Sequence, residues 1–103
     1  MAKLEDGHLA EIKRILTSLV PEYEVRIYGS RVNGSARSYS DVDLAVKGDG
    51  PLNAGVLEKL KDSFAASDLP MRVDVLDWHD TSEAFQKIIS QNCEVIQEAK
   101  LSS

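Results

Sequence analysis

A single cysteine, Cys93, stands in 103 residues. One thiol excludes an internal disulfide and a zinc cage built from cysteines, and it reads as a small buried residue near the last helix. Long apolar runs are missing too: none approaches the ~18–20 residues of a membrane span. Residues 1–10 mix charges of both signs and hold no apolar stretch of the kind a secretory signal needs, so a cytoplasmic protein is expected. Cations are few. Twelve Lys and Arg face seventeen Asp and Glu, for a net charge of -5. Such a chain has no general attraction for nucleic-acid phosphates, and any nucleotide it handles needs local neutralisation by metal ions. Histidine is scarce as well. His8 and His79 are not at ligand spacing, and both read as surface or loop residues.

What is present is the mixture of a folded domain: 43% hydrophobic and 28% charged residues. The length predicts one domain over residues 1–103 and leaves no room for two. Leu9, Ile12, Leu16 and Leu19, with Ile15 beside them, mark an amphipathic helix from about Gly7 to Val20, with Asp6 as its cap and Pro21 as its stop. Glu22 to Tyr28 alternates as a half-buried strand, and Asp41 to Val46 alternates again. Between them, Gly29 to Ser40 is a polar connection with a short helix expected to open at Ser30. After a turn at Gly48 to Pro51, Leu57, Leu60 and Phe64 predict a second helix over 52–66. Met71 to Leu76 reads as a third strand. A third helix is expected over 81–91, capped by Asp80 or Thr81, with Phe85, Ile88 and Ile89 turned inward. Glu94 to Glu98 fits a short strand or a last helical turn. The predicted class is α/β (α+β): order α-β-β-α-β-α, a mixed sheet of three or four strands, helices mainly on one face and an acidic cluster on the other.

Residues two apart on a strand share a face, so Asp41 and Asp43 project together while Val42, Leu44 and Val46 point to the helices. Paired carboxylates repel, and a hard divalent cation such as Mg²⁺ relieves that repulsion. Asp74, on the polar side of the third strand, completes a set of three that suits two metal ions and in-line displacement at phosphorus. Asp77 is a rival third carboxylate, placed beyond the strand in a turn. An Asp-x-Asp pair alone says little, since about 0.8 such pairs arise by chance at this aspartate content. Requiring Gly29-Ser30 ten residues upstream lowers the expectation to about 0.005. Gly29 permits a tight turn, and Ser30 offers a hydroxyl and an amide where phosphate is favoured. A Walker A loop is excluded because Ser35, not lysine, follows Gly34, and an EF-hand because Leu44-Ala45-Val46 follows Asp43. Trp78 reads as an anchor at the sheet edge, with nucleotide stacking as the alternative.

The run Gly29-Ser-Arg-Val-Asn-Gly-Ser-Ala-Arg-Ser-Tyr-Ser-Asp41-Val-Asp43-Leu44 resembles the Gly-Ser-x10-Asp-x-Asp signature of the DNA polymerase β-like nucleotidyltransferase superfamily. Over residues 10–97 the chain is similar to its minimal members, including the antitoxin halves of pairs with HEPN-domain toxins. The resemblance implies ATP as substrate, two Mg²⁺ ions held by Asp41, Asp43 and Asp74, and triphosphate contacts from Gly29 and Ser30. Asn33 departs from the arginine that many relatives carry there, and Arg31 and Arg37 are the nearby cations available to contact phosphate. The implied reaction moves AMP to a hydroxyl, and in the toxin pairs the acceptor is a partner tyrosine. At this length no acceptor domain is expected, so recognition would fall to a partner or a second copy. The alternatives are a non-catalytic module that neutralises its partner by occlusion, and a free-standing enzyme acting on a small molecule.

Overall fold

The computed structural model describes residues 6–28, 41–48 and 50–99. Within them the chain forms α1 (Asp6–Leu19), β1 (Glu24–Tyr28), β2 (Val42–Lys47), α2 (Ala54–Ala66), β3 (Val73–Asp77), a 3-10 turn (Trp78–Asp80), α3 (Glu83–Gln91) and β4 (Cys93–Gln97). The ambiguous last segment is therefore a strand. The sheet runs β3-β2-β1-β4. β1 pairs antiparallel with both β2 and β4, and β2 pairs parallel with β3 through the α2 crossover.

Alternation sorts the strand residues onto two faces. Val25, Ile27, Val42, Leu44, Val46, Val75 and Ile96 join Ile12, Ile15 and Leu16 of α1 and Leu60 and Phe64 of α2 in one buried cluster. Leu9 and Leu19, at the ends of the predicted α1 stripe, pack against its margin. The second face carries Arg26, Tyr28, Asp43, Ala45, Lys47 and Asp74. α3 lies toward that face: Phe85 meets Tyr28 edge-on at 6.1 Å between ring centroids, and the fully buried Ile89 stands apart from the main cluster. At the far end of the second face the Arg26 guanidinium and the Lys47 ammonium lie 5.3 and 5.2 Å from the Trp78 ring centroid. Trp78, half-buried, thus packs beside β1 and β2.

Four details differ from the sequence reading. Ile88 is 59% exposed rather than inward, because α3 rests on the sheet by the narrow stripe of Phe85 and Ile89. The cap of α3 is Ser82, whose Oγ accepts from Phe85 N–H at 3.2 Å. Thr81 is committed elsewhere, its Oγ1 donating to the Trp78 carbonyl at 2.6 Å. Cys93 is half-buried in β4 instead of enclosed. Asp77 ends β3 and is only 7% exposed. Its carboxylate accepts from Leu52 N–H at 2.8 Å and His79 N–H at 3.0 Å, so it ties the approach to α2 to the turn after β3.

Candidate active site

The site follows from strand register. Tyr28 pairs with Asp43 across β1–β2, and Asp43 pairs with Asp74 across β2–β3. Paired residues share a face, so a phenol and two carboxylates stand in a row on three adjacent strands. Asp41, exposed, immediately precedes β2, two residues from Asp43 and therefore toward the same face. Asp77 has the opposite parity to Asp74 and points away, into its own hydrogen bonds, which removes it from the cluster.

The juxtaposition has an electrostatic consequence. Burial raises the Asp43 carboxyl above the ordinary aspartate value, and the charges of Asp74 and then Asp41 raise it further. Burial, with Asp43 and Asp74 beside it, pushes the Tyr28 phenol up to about 12. Arg72 Nε holds Asp74 Oδ1 at 3.1 Å in an exposed ion pair. Tyr28 belongs to no motif in the sequence, although its alternation with Val25 and Ile27 sets it on the polar face.

The donor set is oxygen-only and strongly anionic, the chemistry that suits Mg²⁺. No three carboxylate, imidazole or thiol groups among the described residues are gathered closely enough as they stand to hold a metal ion. The backbone sets the reach: Asp43 and Asp74 occupy neighbouring strands about 4.8 Å apart, and Asp41 is one pleat repeat of about 6.6 Å from Asp43. Aspartate side chains cross such gaps by χ1 rotation, and Asp74 has its Arg72 contact to exchange. Residues of this type fit a divalent ion by their donor chemistry, once the side chains turn toward one another. Gly29, Ser30, Arg31 and Arg37, together with Asn33, Gly34 and the short helix expected at Ser30, lie outside the described residues. His79 is exposed, with Nε2 donating to the Gly48 carbonyl at 2.7 Å.

Comparison with known proteins gives a consistent picture. The family described as "Nucleotidyltransferase domain" matches residues 9–101. A relative from Haemophilus influenzae, named "Probable protein adenylyltransferase MntA", is 50% identical over 95 residues, covering 92% of this chain and 83% of its own length. Among solved structures, a toxin–antitoxin complex with AMP-PNP superposes with a TM-score of 0.73 at 22% identity, over 87% of this chain and 73% of that one. A tri-AMPylated Shewanella oneidensis HEPN toxin in complex with MNT antitoxin matches with a TM-score of 0.68 at 22% identity, over 88% and 70%. At those identities the structural matches speak for the fold, a mixed four-stranded sheet with three described helices.

Proposed function

Because the chain belongs to the nucleotidyltransferase domain family, we propose that it transfers AMP from ATP to a hydroxyl of a HEPN-type partner protein, and that this transfer is its antitoxin activity. The observation that carries the reading is the register Tyr28–Asp43–Asp74, with Asp41 beside it, on one face of three adjacent strands. The name of the Haemophilus relative and the AMPylated toxin of the Shewanella complex support AMP as the group and a partner protein as the acceptor.

In this reading Asp41 and Asp43 would hold two Mg²⁺ ions, with Asp74 as a further ligand. Bound Mg²⁺ supplies charge neutralisation along the phosphates and a lowered pKa for the attacking hydroxyl. The chain itself positions. Ser30 and the backbone at Gly29 orient the β- and γ-phosphates, and Arg31 and Arg37 contribute positive charge there. The acceptor oxygen bonds to the α-phosphorus as the bond to the bridging oxygen breaks. Pyrophosphate leaves with that electron pair, and the hydroxyl proton passes to solvent. Catalysis at such a site is positioning plus electrostatic stabilisation.

The test is incubation of the chain with labelled ATP, Mg²⁺ and a HEPN-domain partner protein. Label should appear on the partner, and Asp41→Asn with Asp43→Asn should lower its rate by about 10³-fold. A double variant that still neutralises the partner fully at stoichiometric dose, without transfer, establishes occlusion instead.

A further inference from the structure

β3 is an edge strand, and its open side is a groove. The cleft of about 380 Å³ has Phe64, Leu69 and Val73 among its walls and Lys61 and Arg72 at its rim, and it reaches Asp74. One border is thus the apolar flank of α2, and the other is the acidic row of the active site. The hydrogen-bond register says which backbone groups face it. Val42 N–H donates to the Arg72 carbonyl at 2.8 Å, with Val42 opposite Val73 and Asp43 opposite Asp74. In a parallel pair alternate residues bond to the same neighbour, so residues 72, 74 and 76 turn their main chain to β2. Val73 and Val75 turn their N–H and C=O groups outward, where no described strand meets them.

An unpaired edge of this kind is a template for a further strand. We propose that the groove at the open edge of β3 binds the acceptor segment of the partner protein as an added β-strand. This deepens the adenylyltransferase reading and rests on it. The added strand bonds to Val73 and Val75. Alternation then sends the residue opposite Asp74 to the acidic face, where its hydroxyl stands at the site of transfer, and sends both its neighbours toward Phe64 and Leu69. The segment's chemistry follows: an extended stretch with a hydroxyl residue between two apolar ones, and a carboxylate nearby to meet Lys61 and the Arg72 guanidinium, whose side chain is 75% exposed. The other free edge, β4, has no catalytic carboxylate beside it, so only β3 couples docking to chemistry.

Amide exchange of the chain alone and saturated with its HEPN-domain partner tests this directly. The Val73 and Val75 amides should exchange at least tenfold more slowly in the complex. Lys61→Glu, on the exposed face of α2, and Val73→Pro, which deletes one outward N–H, should each raise the KM for the partner about tenfold and leave the affinity for an ATP analogue within twofold. AMP transfer with Val73 and Val75 exchanging as freely as before overturns the groove and leaves the catalytic reading intact. Protection without any transfer does the reverse. Protection that grows with the concentration of the chain alone assigns the edge to a second copy and also overturns the proposal.

Discussion

Asp43 is held where its charge is least welcome. Its pKa is raised by burial, by Asp74 and by Asp41, so the folded state binds its proton more tightly than the unfolded chain does. No penalty exists while both states are protonated. It appears as pH climbs past the ordinary aspartate value, and it is complete above the raised one. At neutral pH the carboxylate therefore destabilises the fold. Asp43→Asn should raise stability by roughly 0.2–1 kcal/mol, the scale of a like-charge pair across neighbouring strands in a partly solvated setting. Thermal melts should show the gain at pH 7 and a shrinking gain toward pH 4. An equal gain at both values would mean that repulsion is not its source. Tyr28 responds to the same field at the other end of the scale. With its phenol raised to about 12, stability is unaffected below the unfolded tyrosine value and is lost as pH rises from there to the folded one. An absorbance titration should contain a phenol ionising near 12 that Tyr28→Phe removes and Asp43→Asn shifts downward.

Between elements, one buried carboxylate does a different job. Asp77 accepts from Leu52 N–H and His79 N–H, groups 25 residues before it and two after. Asp77→Ala leaves two amides unsatisfied at the junction of α2, β3 and the 3-10 turn, and should destabilise the chain by about 2–4 kcal/mol. Denaturant unfolding measures it, and a change under 1 kcal/mol would show that water replaces the carboxylate freely. This residue also marks where the sequence stops being readable. The apolar periods of α1, β1, β2 and α2 are local and legible. That a backbone amide at Leu52 needs an acceptor from β3 is a long-range fact with no local pattern. The start of α3 is misplaced for a related reason: Asp80 and Thr81 are the expected caps, but the Trp78 carbonyl takes the Thr81 hydroxyl, and Ser82 caps the helix instead. Gln97 is similar, its Nε2 donating to the carbonyls of Val20 and Tyr23 at 2.7 and 2.9 Å, which ties β4 to the turn after α1 by contacts no periodicity announces.

For the molecule as a whole, the decisive fact is strand order. Period-two patterns put Asp41, Asp43 and Asp74 on polar faces, but only the placement of β3 against β2 brings them together. The order β3-β2-β1-β4 also gives β2 a graded second face, Asp43 at one end and Lys47 at the other beside Trp78. With a net charge of -5 and three carboxylates clustered at one end, the fold should be stabilised by Mg²⁺ through binding, over and above screening. Binding to the folded state alone adds RT ln(1 + [L]/Kd), so a Kd of about 1 mM gives about 1.4 kcal/mol at about 10 mM ion. For a domain of this size that is a rise in Tm of roughly 5–10 °C. NaCl matched in ionic strength should give much less, because exposed charges at this spacing are only weakly affected by screening. Asp41→Asn with Asp43→Asn should remove the Mg²⁺-specific part while keeping the NaCl response. The same rise in the double variant, or an equal rise with NaCl, would show that the carboxylates do not share an ion.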